Sequence, residues 1–286
     1  MEQRPFVSIV TPSLNSGRFL EETIQSVLSQ DYPFIEYLVM DGGSTDGTIA
    51  LLQRYQGRLQ FDSKPDKGTA DAINGGFRRA RGSILAWLSA DDTYLQGAVQ
   101  TAVEHLVSAP DAAAVYGDAY WTDVDGQCLG CYPTKRPYTP EMFMHDCGIC
   151  QPACFMRREA VEAVGMLDSA LRSAFDYDLW IRLSKRFPLV ATAQCLATSR
   201  MHRQNISLRQ RRLMFEESMG LLRRHYGYVP LHWIYSYLCH LHDGKDQVFE
   251  ASPESHKALW ESLLRGFYYN RKHPVRFVRE WLAMIH

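Results

Sequence analysis

Residues 6–118 alternate between two patterns of apolar and polar positions. Short segments that favour strands fall at residues 6–11, 35–40, 59–62, 83–88 and 113–116, and the nearly continuous apolar run at 83–88 is typical of a strand buried on both faces. Between these segments apolar residues recur every three or four positions, which predicts amphipathic helices. Such a strand–helix–strand series favours a parallel sheet with right-handed crossovers. We therefore expect an α/β fold of Rossmann-like type, mainly parallel, with helices on both faces of the sheet.

The rest of the chain is mixed at first and then helical. A turn at Asp125-Gly126 predicts a hairpin whose returning strand covers residues 127–132. Further strands are expected at residues 151–156 and 189–197, and helices at residues 175–187, at residues 203–227 and over the last thirty residues, which Pro274 interrupts. The polar stretch 243–255 predicts a loop. These patterns add a helical C-terminal appendage to the α/β domain.

Two adjacent carboxylates, Asp91 and Asp92, stand where the apolar run 83–88 should end. Ligands of open α/β sheets bind beyond the carboxyl ends of the strands. A pair of carboxylates at that place can hold a divalent cation, and the cation can hold phosphates. The alternative interpretation is that one of them caps the helix expected from about Leu95.

Polar clusters also follow the three earlier strands, at residues 11–15, 41–48 and 66–74. The glycines in the second cluster permit a close approach of backbone to ligand, although an ordinary strand-to-helix turn would use them equally well. Dinucleotide and P-loop glycine spacings are absent from the sequence. Because four such clusters converge on one edge of a parallel sheet, together they predict a ligand site.

The composition excludes some classes of partner. The formal net charge is −1, so no global field indicates nucleic acid. There is no apolar segment near Met1 typical of a signal peptide and no uninterrupted apolar stretch long enough to cross a bilayer. We expect a cytoplasmic location, with the inner face of a membrane as a candidate contact.

Seven cysteines include two C-x-x-C pairs, at residues 128–131 and 147–150. Their separation fits a structural zinc site. However, Cys128 and Cys131 fall on the predicted returning strand, where alternate residues point to opposite faces and could not chelate together. Buried thiols that act as small apolar side chains are the competing interpretation. A zinc-stabilised interaction protein is therefore one alternative function.

The strand-end clusters also carry a resemblance. The series T-P-x-x-N, D-G-G-S-T-D-G-T, D-K-G-x-x-D-A-x-N, W-L-S-A-D-D and F-D-Y-D-L-W, spread over about residues 5–207, resembles family-2 glycosyltransferases of the GT-A fold. The resemblance implies a catalytic domain at 1–207, with a nucleotide-sugar half at 1–118 and an acceptor half at 119–207, and a helical region at 208–286. It implies inverting transfer of a hexose-type sugar from a nucleotide-diphosphate sugar to a glycan or polyprenyl-linked acceptor in polysaccharide assembly.

The resemblance also implies roles for particular residues. Asp41 would recognise the nucleotide base, with Thr11 and Ser13 lining the same pocket, and Asp71 and Asn74 would lie near the ribose or the donor sugar. Asp92 would bind Mg²⁺ or Mn²⁺, Asp91 would reach the ribose or the metal, and His202 could join the metal or the diphosphate. The family often has Asp or Asn where this chain has Ser89, so a non-catalytic sugar-nucleotide-binding protein is a second alternative function.

Asp176 matches the carboxylate that inverting members use as general base. Phe175 precedes it where many members have Glu, and we expect this phenyl ring to desolvate Asp176 and raise its pKa. Without the resemblance, Asp176 would simply be an acidic residue that favours a helix N-terminus. Gln151, Tyr177 and Trp180 surround the candidate base and could contact the acceptor, although Trp180 could equally belong to the core.

The C-terminal segment interleaves basic and aromatic residues. The basic ones are Arg265, Arg271, Lys272, Arg276 and Arg279, and the aromatic ones are Phe267, Tyr268, Tyr269, Phe277 and Trp281. A basic, aromatic helix can lie on an anionic membrane face, which would suit a polyprenyl-linked acceptor. The alternative is a solvated helix packed on the catalytic domain.

Overall fold

The computed structural model describes residues 4–136, 138–248 and 250–285. The chain forms two compact units. The first contains residues up to 138 together with 147–202, and the second contains 139–146 and the residues from 203 onward. Within the described ranges no helix is both long and apolar enough to cross a membrane. The functional division into nucleotide-sugar and acceptor halves stays a prediction.

The first unit is a nine-stranded sheet flanked by helices. Its strands are β1 (Val7–Ser13), β2 (Ile35–Asp41), β3 (Gln60–Ser63), β4 (Ile84–Trp87), β5 (Thr93–Tyr94), β6 (Ala114–Thr122), β7 (Cys128–Cys131), β8 (Cys154–Arg157) and β9 (Leu189–Arg200). Its helices are α1 (Leu20–Leu28), α2 (Thr48–Arg54), α3 (Thr69–Arg79), α4 (Ala98–Ser108), α5 (Arg158–Val164) and α6 (Phe175–Ser184). A short 3₁₀ turn, Gln151–Ala153, occupies the first half of the strand predicted at 151–156.

The sheet is mainly parallel, as expected, and the short strands β5, β7 and β8 add antiparallel pairs to it. The strand order is β3-β2-β1-β4-β8-β6-β9-β5, and β7 pairs with β6 as the predicted hairpin. The first four of these strands are parallel, as predicted. The short strand β8 lies antiparallel between β4 and β6, so these two do not pair. An apolar run fixes that a strand is buried but not which strand lies beside it, and β8 has only four residues.

The parallel half of the sheet is covered closely by α3. The central strands are buried, with Ile9, Val39 and Ala86 at 0% exposure, whereas β3 at the edge of the sheet is partly exposed. A Cβ atom at Gly76 of α3 would lie 2.5 Å from a methyl carbon of Val10, so this helix approaches the sheet as only a glycine permits. The carboxyl ends of β1, β2 and β4 therefore form a well-supported edge.

The second unit is helical. It contains a short 3₁₀ turn at Met142–Met144 and the helices α7 (Ile206–Arg209), α8 (Arg211–Tyr226), α9 (Leu231–Asp243), α10 (His256–Tyr269) and α11 (Pro274–Ile285). The predicted break at Pro274 is confirmed, because α11 begins there. The described residues between α9 and α10 form no helix or strand, as the polar stretch predicted.

Candidate active site

The turn after β4 brings a carboxylate and an imidazole together. A carboxylate oxygen of Asp91 lies 2.9 Å from Nε2 of His202, a residue 111 positions later that follows the end of β9. Both side chains are partly accessible, at 23% for Asp91 and 12% for His202. The His202 ring also stacks on Phe19, with the ring centroids 5.1 Å apart, which holds the imidazole in place.

Asp92 faces the interior instead. It is 5% exposed, and a carboxylate oxygen accepts a 2.9 Å hydrogen bond from the backbone N–H of Arg200. Its own carbonyl accepts a hydrogen bond from the Thr23 hydroxyl of α1. Burial and the neighbouring charge of Asp91 raise the pKa of Asp92 well above its usual range. In this structure the Asp92 side chain holds the turn against β9, and its role as a cation ligand stays a prediction.

Arg200 joins the elements around this turn, and the sequence analysis missed it. Its guanidinium is 3% exposed, donates to the carbonyl oxygens of Asp91 and Val124, and pairs with Glu22 of α1. It also lies over the Phe19 ring, 4.9 Å from the centroid. The available signal was an arginine at the end of a largely apolar strand, two residues before a histidine. A buried charge needs several partners, and several partners draw several elements together.

Asp41 at the end of β2 is enclosed by its own turn. Its carboxylate accepts hydrogen bonds from the N–H groups of Gly43 and Ser44 and from the hydroxyls of Ser44 and Ser63. With 3% exposure, it shapes the loop after β2. This arrangement does not support the predicted contact between Asp41 and a nucleotide base.

A second carboxylate, Asp66, lies over the same loop. One of its oxygens accepts from Gly68 N–H at 2.7 Å, and the other would be 2.8 Å from a Cβ atom placed on Gly42. Asp66 is exposed. The absence of a side chain at residue 42 therefore leaves room for an accessible carboxylate beside the loop, which the sequence analysis did not single out.

Thr11 and Ser13 both lie on β1, and their hydroxyl groups differ in hydrogen bonding. The Thr11 hydroxyl is fully buried and lies 3.0 Å from that of Tyr37. The Ser13 hydroxyl is also buried, and among the described residues it has no hydrogen-bond partner. A buried, unpartnered hydroxyl costs free energy, so Ser13 is the member of this pair suited to meet a ligand.

Asp71 and Asn74 lie on α3. Asp71 is partly accessible and accepts a 3.2 Å hydrogen bond from Lys67 N–H. Asn74 is 5% exposed, donates to Leu167 O and accepts from Leu167 N, so its amide ties α3 to the loop after α5. The predicted contact of Asn74 with the donor is thus unsupported, because both ends of its amide are engaged.

Asp176 is in the first turn of α6, with Phe175 at 8% and Tyr177 at 4% exposure on either side. One carboxylate oxygen accepts a 2.7 Å hydrogen bond from Tyr177 N–H. Burial raises the pKa of Asp176 to about 6, which exceeds the opposing effect of the backbone hydrogen bonds. This agrees with the direction expected from desolvation. A carboxyl group with that pKa can accept a proton near neutral pH.

The aromatic ring one turn further along α6 belongs to the core. Trp180 is 0% exposed and stacks on Trp87, the last residue of β4, with centroids 5.5 Å apart. Tyr177 is 4% exposed, and the Gln151 amide donates to Trp87 O. This burial does not support the predicted acceptor contact of Trp180, which stays a prediction. Instead this ring fixes α6, and with it Asp176, against the end of β4.

The cysteines do not converge. Cys128 and Cys131 are exposed on β7, Cys147 is partly exposed, and Cys150 is buried. In the described part of the chain no three His, Cys, Asp or Glu side chains are grouped so that they could hold a metal ion. A structural zinc site is therefore unsupported. Among the described residues, the side chains of these types that come together after β4 are Asp91 and His202.

Comparisons with known sequences identify the family and several relatives of this chain. The sequence model of glycosyl transferase family 2 matches residues 8–165. The putative teichuronic acid biosynthesis glycosyltransferase TuaG of Bacillus subtilis is 28% identical over 215 residues, covering 71% of this chain and 82% of that protein. An uncharacterized glycosyltransferase of Rickettsia prowazekii is 26% identical over 210 residues, covering 69% and 64% respectively. Chondroitin synthase of Escherichia coli is 25% identical over 242 residues, covering 81% and 35%. The chain thus spans less than two thirds of the length of several relatives.

Solved structures show the same fold. TarS 1–349 of S. aureus, in complex with UDP-GlcNAc, superimposes with a TM-score of 0.63 at 15% identity, covering 96% of this chain and 89% of that one. The mannosyltransferase PcManGT of Pyrobaculum calidifontis, in complex with GDP-Man and Mn²⁺, gives 0.61 at 18% identity, covering 99% and 86%. Both likenesses support the GT-A fold. Because the family model spans more than half of the sequence, the chain belongs to glycosyl transferase family 2.

Proposed function

We propose that this protein is an inverting, cation-dependent glycosyltransferase that moves a sugar from a nucleotide-diphosphate sugar to a hydroxyl group of a glycan or lipid-linked glycan. The observation that carries the proposal is Asp176, a carboxyl group at the start of α6 whose pKa of about 6 suits a general base. Family membership and the fold supply the class of reaction.

The proposed reaction is a single in-line displacement. An acceptor hydroxyl oxygen attacks the anomeric carbon and forms the new glycosidic bond, while the bond from that carbon to the β-phosphate oxygen breaks. The proton of the acceptor hydroxyl passes to the Asp176 carboxylate, and the nucleoside diphosphate leaves with the bonding electron pair. Trp180 acts indirectly, since its stacking on Trp87 keeps α6 and the base beside the end of β4.

Asp91 and His202 are the residues we assign to a divalent cation. The carboxylate oxygen of Asp91 and the imidazole nitrogen of His202 lie 2.9 Å apart and are both partly accessible, and of the two the carboxylate is the ligand that Mg²⁺ and Mn²⁺ prefer. Two protein ligands suit a cation that is also held by substrate phosphates and water. When bound, such an ion neutralises charge on the departing diphosphate. Arg200 and Asp92 hold the turn that presents Asp91.

For the donor base we propose Asp66 and Ser13 in place of Asp41. Asp66 has an oxygen over Gly42 and an exposed side chain, whereas the Asp41 carboxylate is enclosed by four hydrogen bonds. A carboxylate can accept from a ring N–H of uracil or guanine, and structural neighbours hold UDP-GlcNAc or GDP-Man. These two nucleotides are the first donors to test.

For the acceptor we propose a growing cell-surface polysaccharide or its lipid-linked precursor at the cytoplasmic face of a membrane. Relatives of this chain are named for teichuronic acid biosynthesis, chondroitin synthesis and O-antigen biosynthesis. A general base such as the one proposed at Asp176 is consistent with a hydroxyl acceptor of this kind.

The direct test is release of nucleoside diphosphate from UDP-, GDP- and dTDP-sugars with and without Mn²⁺. We expect turnover with one donor class, dependent on the cation and lost in Asp176→Asn. Asp111→Asn, at an exposed surface position, is the matched control and should leave turnover unchanged. Donor binding without any turnover in the wild-type chain, with acceptor glycans present, would favour a sugar-nucleotide-binding protein instead.

A further inference from the structure

The pair of helices α10 and α11, here called the C-terminal hairpin (256–285), exposes an unusual amount of apolar surface. Thirteen large apolar side chains are exposed among the described residues, and eight of them lie in this hairpin. They are Trp260, Leu264, Phe267, Tyr268, Val275, Leu282, Met284 and Ile285. Scattered exposed apolar residues are normal, but a concentration of this kind marks an interaction surface.

Two of the exposed apolar residues, Trp260 and Phe267, also take part in the packing of α10 against α11, and the others lie outside that packing. Phe277 and Trp281 of α11 are buried, and their rings contact Phe267 and Trp260 of α10. On α10, Trp260, Leu264 and Phe267 follow the spacing of one helix face, and on α11 Val275 and Leu282 are seven residues apart on another. The aromatic residues that the sequence suggested for a membrane are thus divided, since Phe277 and Trp281 build the hairpin while others face outward.

The hairpin is also strongly basic. Six lysine and arginine side chains and two glutamates between residues 256 and 285 give it a charge of +4, although the whole chain carries −1. In the described residues, Arg271, Lys272 and Arg279 form no ion pair with a carboxylate. Arg271 and Lys272 lie in the turn between the helices, beside exposed Tyr268 and Val275. Basic charge and apolar surface therefore occur together.

We propose that the C-terminal hairpin docks on the surface of an anionic lipid bilayer. Its apolar faces would enter the headgroup boundary and its basic side chains would pair with lipid phosphates. A second copy of the chain is the less favourable occupant, because two hairpins of charge +4 repel each other face to face. This binding needs no transferase activity, so it goes beyond the proposed function and is tested independently of it.

The test is co-sedimentation of the full chain with vesicles of phosphatidylcholine alone and of phosphatidylcholine with phosphatidylglycerol. We expect binding only to the anionic vesicles and weakening as salt is raised. The double variants Trp260→Ser/Leu264→Ser and Arg271→Glu/Lys272→Glu should each reduce binding at least about tenfold. Val107→Ser and Arg78→Glu are the controls. They change an exposed apolar and an exposed basic side chain outside the hairpin and should bind like the wild type.

All the changed side chains are exposed, so we expect each variant to keep the fold. Thermal unfolding of each variant checks that reduced binding does not come from unfolding. Equal binding by wild type and both double variants, or no binding to anionic vesicles, would overturn the proposal. So would a dimer in light scattering that Trp260→Ser/Leu264→Ser converts to a monomer, because the surface would then belong to a second copy.

Discussion

The backbone N–H of Arg200 donates a 2.9 Å hydrogen bond to the carboxylate of Asp92, 108 residues earlier in the chain. The Arg200 guanidinium also donates to the carbonyl oxygen of Asp91. Two adjacent acidic residues of the same type therefore have different functions. One is locked into the interior, and the other is presented beside His202.

This difference predicts different consequences for substitutions at the two positions. Asp91→Asn should abolish most cation-dependent donor binding while leaving the unfolding midpoint almost unchanged, because its side chain is accessible. Asp92→Ala should lower the free energy of unfolding by about 1–3 kcal/mol, because it leaves Arg200 N–H unpaired in the interior. Calorimetric donor titration with Mn²⁺ and urea denaturation measure the two effects. Loss of cation-dependent donor binding in Asp92→Ala but not in Asp91→Asn would identify Asp92 as the cation ligand.

Replacing the proposed base should reduce turnover without weakening donor binding. Asp176→Asn keeps the shape of the side chain and removes its ability to accept a proton, so we expect turnover to fall roughly 10²–10⁴-fold. The dissociation constant of the donor should stay within about twofold of the wild-type value. Near-normal turnover in this variant would show that another group takes the proton.

The pH dependence of turnover should follow the same carboxyl group. Its pKa of about 6 means that the ionised, proton-accepting form prevails above pH 6 and is lost below it. We expect the wild-type rate to fall about tenfold per pH unit on the acid side of pH 6. The residual rate of Asp176→Asn should lack this limb, and a shared acid limb would assign it to another group.

Burial of the Asp176 carboxyl group should also lower the free energy of unfolding. Its pKa is raised in the folded state, so the folded protein binds the proton more tightly, and wild-type stability decreases as the pH rises from about 4 to about 6. Above pH 6 the cost is fully present and amounts to about 2–3 kcal/mol at most. Asp176→Asn should therefore be more stable than the wild type at pH 8 and similar to it at pH 3.5. Urea denaturation at both pH values tests this, and a constant difference would contradict it.

Alanine substitutions at two helical glycines, Gly266 and Gly220, test how tightly the C-terminal hairpin packs. A Cβ atom at Gly266 would lie 1.8 Å from the buried Phe277 ring, whereas at Gly220 of α8 it would meet nothing within 4 Å. Gly266→Ala should lower the free energy of unfolding by about 1–3 kcal/mol through overpacking. Gly220→Ala should raise it by up to about 1 kcal/mol through helix propensity. Similar effects of the two substitutions would mean that the hairpin adjusts freely.

Much of the site was accessible from strand-end motifs because local sequence controls local structure. The apolar runs predicted β1, β2 and β4 and placed Asp41, Asp71 and Asp91 after strands or on the helix that follows. The phenyl ring before Asp176 indicated the direction of its pKa shift. These features depend on residues that are close in sequence, so a pattern of polar and apolar positions contains them.

Such patterns do not predict contacts between residues that are far apart in the sequence. The sequence could not show that β8 separates β4 from β6, that Asn74 bonds to Leu167, or that Trp180 stacks on Trp87. Each of these side chains has a polar or aromatic character that would also suit a ligand. Only the position of its partner, distant in sequence, decides whether the group is already engaged.

The sequence by itself determined that this chain builds an α/β sheet with polar clusters at its strand ends, because burial on both faces demands apolar runs and turns demand polar and glycine residues. Tertiary structure alone decided which of those polar groups remain accessible. Asp91 and Asp92 are the same residue type, but the backbone N–H of Arg200 holds the carboxyl group of Asp92 in the interior, where a polar group without a hydrogen-bond partner would cost free energy.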